Sequence, residues 1–153
     1  MKFNINKIIA ILKDIKNYVI PIKKIKNKFK RIDSLDEIET FIRERSAHVT
    51  QTTLYGYIKT RMGSKYAMMF EDKTFSDSIN IAKWNIYMTA LTDCTFYVFS
   101  YLIDKKNLKK NDAEKIFISI IKKEKKNGLE ETLYEKTKIK FNQKIINVDW
   151  NIY

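Results

Sequence analysis

The fold is decided by residues 77–104, which read DSINIAKWNIYMTALTDCTFYVFSYLID. Apolar side chains recur there at three- and four-residue spacing, which is the period of an α-helix. Ile79 and Ile86 lie on one face and Trp84 and Leu91 on another, so apolar residues extend almost around the whole helix. A helix of this kind is surrounded by other helices. We therefore predict that residues 77–104 form the buried central helix of an all-α bundle.

A second helix is predicted on the N-terminal side of the central one. Ser34 and Glu37 form an S-x-x-E capping box, in which each side chain satisfies an exposed backbone donor of the other residue. The helix should therefore begin at Leu35. Gly63 is the residue type that ends a helix, because glycine adopts left-handed backbone geometry without strain.

Capping residues also divide the rest of the chain. Thr74 or Ser76 should cap the central helix, and Asn111 with Glu114 should begin the next one, which Gly128 ends. One weak helix and an irregular end follow. The sequence thus predicts a single-domain, all-α bundle of four to five helices.

The N-terminal segment is the most basic part of the chain. Residues 1–32 hold ten basic residues and one acidic residue, and isoleucines recur there at helical spacing on both sides of Pro21. We predict a basic amphipathic helix over this segment and a helical domain over residues 33–153. The residues expected to contact a membrane or a polyanion are Lys23, Lys24, Lys26, Lys28, Lys30 and Arg31.

The formal net charge of +12 belongs to the two ends of the chain. Residues 33–104 carry a net charge of −3, between a +9 segment before them and a +6 segment after them. Lysine, isoleucine and asparagine are all abundant, as an A/T-rich coding sequence would produce without functional pressure. Charge alone therefore supports only a local argument about residues 1–32.

One cysteine and one histidine narrow the possible chemistry. An internal disulfide and a Cys/His metal site are both excluded, and no motif for a cofactor is present. The apolar start of the chain is interrupted by charges and lacks a cleavage site, which argues against a signal peptide. We expect a cytoplasmic protein without metal or cofactor, whose basic end would associate with the cytoplasmic face of a membrane.

Two residues are candidates for catalysis. His48 lies on a predicted helix close to Ser46 and Thr50, so a small esterase-like hydrolase using His48 and a hydroxyl or Cys94 is one alternative. Asp93 stands in the middle of the apolar helix. A buried carboxylate needs a partner, and we expect a cation of the preceding helix to supply it.

Residues 52–84 depart from the lysine-rich composition and contain the segments TLYGYIKTRMGSKYAMMFEDKTF and SINIAKW. This stretch resembles a family of short uncharacterised bacterial proteins, some of which carry an esterase label. No esterase motif is present here, so the resemblance implies no catalytic residues. It implies that this connection is the functional surface, formed by Tyr55, Tyr57, Lys59, Arg61, Met62, Lys65, Tyr66, Met69, Phe70 and Trp84.

The function predicted from these features is that of a small non-catalytic binding or adaptor protein. Its partner would be another protein or an anionic membrane surface bound through residues 3–32. Besides hydrolysis, the other alternative to this function is non-specific nucleic-acid binding through the lysine-rich ends. It lacks a recognised nucleic-acid-binding signature.

Overall fold

The computed structural model describes residues 32–106 and 108–150. From Ser34 onward the described residues belong to one compact unit. Its elements are α1 (Leu35–Met62), a 3-10 segment (Gly63–Glu71), α2 (Lys73–Lys106), α3 (Lys110–Lys126) and α4 (Glu131–Asn147). The prediction of an all-α bundle around a central apolar helix is confirmed.

Helix α1 begins and ends where its sequence indicates. The Ser34 hydroxyl accepts a hydrogen bond from the Glu37 backbone N–H at 3.2 Å, and Leu35 is the first helical residue. Gly63 follows the helix with a φ of +58°, a conformation that strains residues with a Cβ. One residue in four along α1 faces the core, which gives a stripe of Ile38, Ile42, Ser46, Thr50, Leu54 and Ile58.

The starts of α2 and α3 differ from the predicted caps. Asp72 caps α2, because its carboxylate accepts a hydrogen bond from the Phe75 backbone N–H at 2.9 Å. Helix α2 thus begins at Lys73, before Thr74 and Ser76. A carboxylate is an equally good acceptor for these exposed donors, and its charge favours the positive end of the helix.

Helix α3 begins one residue before the predicted capping pair Asn111 and Glu114. The Asp112 carboxylate accepts a hydrogen bond from the backbone N–H of Lys109 at 3.1 Å. The capping pair in the structure is therefore Lys109 and Asp112, two residues before the predicted pair. Helix α3 ends at Lys126, and Gly128, with a φ of +100°, follows the cap residue Asn127, close to where the sequence predicted the end of the helix.

Helix α2 lies at the centre of the bundle and packs against α1, α3 and α4. The core contains stacked phenylalanines from three helices. The Phe117 ring of α3 stacks on the Phe141 ring of α4, with centroids 3.7 Å apart, and Phe96 of α2 stacks on Phe141 at 5.0 Å. Trp150 packs against Phe96 at 5.4 Å, so the chain after α4 is part of the core.

Burial of α2 on every side is a wrong prediction. A stripe of every fourth residue faces solvent, and its members include Ile81, Tyr97 and Tyr101 as well as Asp93. Helices α1, α3 and α4 provide neighbours on the remaining faces. Tyrosine tolerates such a position because its hydroxyl stays hydrated while its ring lies on the surface.

Among the described helices, α2 is long and apolar enough over Lys73–Lys105 to cross a membrane. Of the 18-residue stretch that meets this criterion, 39% is buried inside the protein. The central helix of a bundle has the same length and composition. The core accounts for the buried apolar residues of α2, such as Leu91, Phe96 and Phe99, whereas Ile81 and Tyr97 lie outside it.

We expect Phe117→Ala to lower the free energy of unfolding by about 3–5 kcal/mol, because it removes a fully buried ring and leaves a cavity beside Phe141. Urea denaturation monitored by circular dichroism measures the change. Tyr97→Ala, at an exposed position of α2, should change the same quantity by less than about 0.5 kcal/mol. Equal losses for both variants would contradict the packing described here.

Candidate functional site

A buried carboxylate joins the three helices that meet on one side of the bundle. Glu124 of α3 accepts hydrogen bonds on Oε1 from Arg43 Nε of α1 at 3.0 Å and from the Tyr87 hydroxyl of α2 at 3.2 Å. Its Oε2 accepts one from Asn127 Nδ2 at 2.8 Å. The negative charge of Glu124 is therefore matched inside the protein, as a buried charge requires.

The network shifts the pKa of two of its members. Burial raises the pKa of the Tyr87 hydroxyl well above its usual value, and the adjacent negative charge of Glu124 raises it further. Burial acts to lower the pKa of Arg43, but the hydrogen bond and the charge of Glu124 outweigh it and raise that pKa. Tyr87 stays a neutral donor and Arg43 stays a cation over the whole physiological range.

A second buried carboxylate, Glu39, joins α1 to α3 one helical turn before Arg43. It accepts hydrogen bonds from the Ser119 hydroxyl at 2.9 Å and from the Lys123 ammonium. The α1–α3 contact is thus held by two polar connections rather than by apolar packing alone.

The Glu124 network forms the floor of a groove between α1, α2 and α3. We call it the Arg43 groove, and its volume is about 400 Å³, within the usual range of about 300–1,000 Å³ for small-ligand sites. Lys83 lies across the Trp84 ring, with Nζ 4.7 Å from the ring centroid. The lining residues are Thr40, Arg43, Glu44, Ala47, Thr50, Gln51, Lys83, Trp84, Tyr87 and Glu124.

A smaller groove of about 280 Å³ lies on the other side of Trp84, between α2 and the start of α4. Its charged lining residues are Glu130 and Lys136, and Asn80 and Asn85 contribute amides. Trp84, which is 8% exposed, thus separates two grooves.

The residues of the predicted binding surface fall into two places. Tyr55, Tyr57 and Met69 are exposed at the end of α1 and in the 3-10 segment, together with the neighbouring Met68. Lys59, Arg61 and Lys65 are exposed beside them, and Met62, Tyr66 and Phe70 are half-buried. Trp84 differs from all of these, since it is buried and lines the two grooves.

Aromatic contacts connect the first group. The Phe70 ring lies 6.4 Å from Tyr55 and 5.5 Å from Phe75, and Arg61 lies over the Tyr57 ring at 5.6 Å. These contacts join α1, the 3-10 segment and the start of α2. They leave the rings of Tyr55 and Tyr57 more than half exposed.

His48 and its proposed hydroxyl partners lie on different faces of α1. His48 is exposed, whereas Ser46 and Thr50 are buried in the core stripe. Each of these hydroxyls donates a 2.7 Å hydrogen bond to the backbone carbonyl four residues earlier. Ser46 and Thr50 therefore do not form a nucleophile–base pair with His48.

Asp93 is exposed rather than buried, so the predicted burial is wrong. Its side chain is 59% exposed and accepts a 2.8 Å hydrogen bond from Lys144 Nζ of α4, whereas the expected partners were on α1. Asp93 lies on the solvent stripe of α2. An exposed ion pair of this kind contributes about 0–1 kcal/mol to stability.

Cys94 faces α1, where Ser46 and Arg45 are its polar neighbours. Burial raises the pKa of the Cys94 thiol, and the hydrogen bond with Ser46 and the charge of Arg45 only partly oppose this effect. A thiol with a raised pKa is a poor nucleophile at neutral pH, because the thiolate is the reactive form.

No cluster of three or more His, Cys, Asp or Glu side chains that could hold a metal ion occurs among residues 32–106 and 108–150. The lysines and Arg31 predicted to contact a membrane or a polyanion lie outside these residues.

Comparisons with protein-family models, curated proteins and solved structures give no match to this chain. The resemblance of residues 52–84 to a bacterial family therefore stays a prediction.

Sequence reasoning missed the Arg43 groove. Arg43 is one of the cations on the preceding helix that were expected to pair with Asp93, and neither Glu124 nor Tyr87 was predicted to be a functional residue. One signal was available: Glu124 continues the apolar stripe of α3 at Phe117, Ile120 and Ile121, so it occupies a core position. A carboxylate in such a position requires a buried partner.

We expect Cys94, the single thiol of the chain, to react about tenfold or more slowly with Ellman's reagent in the folded protein than in urea. Burial and a raised pKa both reduce the reactive thiolate. The release of the coloured thiolate at pH 8 measures the rate. Equal rates in both states would show that Cys94 is accessible and ionised, and would restore it as a candidate nucleophile.

Proposed function

We propose that this protein is a non-catalytic binding module that recognises an acidic protein partner through the end of α1 and the 3-10 segment. The observation that carries the proposal is the exposure of large apolar side chains there. Tyr57 is 61% exposed and Met68 is 67% exposed. Tyrosine is enriched in protein interfaces, and methionine adapts to surfaces of varied shape.

Charge indicates the chemistry of the partner. From residue 59 to the end of the 3-10 segment the chain contains three basic residues, Lys59, Arg61 and Lys65, and one acidic residue, Glu71. This stretch is basic although residues 33–104 as a whole carry a net charge of −3. A partner that offers acidic side chains around an apolar anchor would complement both features.

Site-specific photo-crosslinking tests the proposal. We expect Tyr57→p-benzoylphenylalanine to give a discrete adduct with an acidic protein in cells that naturally express the chain. Tyr101→p-benzoylphenylalanine is the matched control, because Tyr101 is also 61% exposed but lies on the solvent stripe of α2. Adducts of the same masses and yields from both positions would contradict the proposal.

Charge reversal provides a second measurement on the same adduct. Lys59→Glu with Arg61→Glu should abolish it, whereas Lys136→Glu with Lys140→Glu, on α4, should leave it in place. All four side chains are exposed, so folding should be preserved. Loss of the adduct in both double variants would show that overall charge, and not this surface, attracts the partner.

A second proposed activity is attachment to an anionic membrane surface through residues 3–32. It is supported by the coincidence of basic charge with isoleucines at helical spacing in this segment. Each basic residue near an anionic surface contributes about 1 kcal/mol to binding. Membrane attachment and partner binding would use different parts of the chain.

Co-sedimentation of the full chain with vesicles of equal parts phosphatidylglycerol and phosphatidylcholine tests this activity. Changing Lys23, Lys24, Lys26 and Lys28 to Gln should strongly reduce pelleting. The matched control changes four exposed lysines of α3 and α4 to Gln, namely Lys115, Lys122, Lys136 and Lys140. Equal reductions, or no pelleting of the unchanged chain, would refute attachment through the N-terminal segment.

A further inference from the structure

The Arg43 groove combines two cations with an aromatic wall. Arg43 Nε and Nη2 both lie 3.0 Å from Glu124 Oε1. A guanidinium has five N–H donors, so Arg43 keeps further N–H groups for the groove that it lines. Lys83 supplies a second cation above Trp84. Both cations therefore border the same space as the indole ring.

Two carboxylates, Glu44 and Glu124, line the same groove. Glu124 already accepts hydrogen bonds from Arg43, Tyr87 and Asn127, so its charge is used within the protein. Glu44 and Lys83 are both exposed, so water screens both of their charges. The two cations and two carboxylates of the lining balance in formal charge, but Arg43 keeps N–H donors that Glu124 does not use, so the groove offers hydrogen-bond donors to an anionic acceptor.

We propose that the Arg43 groove binds a small aromatic carboxylate. Its carboxylate pairs with Arg43 and Lys83, and its ring packs against Trp84 and Ala47. Arg43 suits this role because a planar guanidinium binds a carboxylate through two parallel hydrogen bonds. The Glu124 network holds Arg43 in place before the ligand arrives, which reduces the entropy lost on binding.

Trp84 allows a direct test, because the chain contains only two tryptophans. In a ¹⁵N-labelled full chain the two indole N–H signals report on Trp84 in the groove and on Trp150, which packs against Phe96. Titration with 2-naphthoate should shift the Trp84 signal to saturation and leave that of Trp150 unchanged. The neutral 2-naphthamide and the cationic 2-naphthylmethylamine should bind more weakly.

Lys83→Gln should weaken 2-naphthoate binding about fivefold, because the variant loses one partly exposed ion pair with the ligand's carboxylate. Lys136→Gln is the matched control, because it removes the same charge from the smaller groove on the other side of Trp84. The affinity of the Lys136→Gln variant for 2-naphthoate should be unchanged. Lys83 is exposed, so the variant should fold normally, and its melting temperature checks this.

Three results would overturn the proposal. They are equal affinity for 2-naphthoate and 2-naphthamide, equal weakening by Lys83→Gln and Lys136→Gln, and a Trp84 signal that does not shift to saturation. The first would indicate an apolar site without anion recognition, and the second would indicate binding in the smaller groove. These outcomes do not depend on whether the end of α1 binds a protein partner.

Discussion

The buried carboxylate of Glu124 is the constraint on which the arrangement of α1, α2 and α3 depends. An isolated charge in the core would cost several kcal/mol, so the three helices must be placed where Arg43, Tyr87 and Asn127 can reach it. Apolar packing alone would accept small shifts of one helix along another. The directional hydrogen bonds of this carboxylate restrict such shifts, and the Glu39 connection acts in the same way on α1 and α3.

The same polar connection lines the Arg43 groove. Helices that met through apolar side chains only would close over each other, whereas Arg43 and Lys83 keep their charged groups towards water. Trp84 remains at the bottom of the opening with Lys83 across its ring. The proposed ligand binding is therefore linked to stability, since Arg43 both neutralises Glu124 and lines the groove.

Binding of a partner and binding of a small ligand would involve separate surfaces. The exposed tyrosines and methionines lie at the end of α1, and the Arg43 groove lies along its earlier turns and against α3. Both surfaces include residues of α1 and α2.

The sequence alone determined the all-α class, the central position of α2 and the boundaries of α1, because helical periodicity and capping are local properties. It also indicated that Tyr57 and its neighbours depart from the general composition. Only the tertiary structure decided which face of α2 meets water, and hence that Asp93 is exposed and pairs with Lys144. It alone brought Arg43, Tyr87 and Glu124 together. These three residues are far apart in the chain, and periodicity within one helix carries no information about which neighbouring helix covers each face.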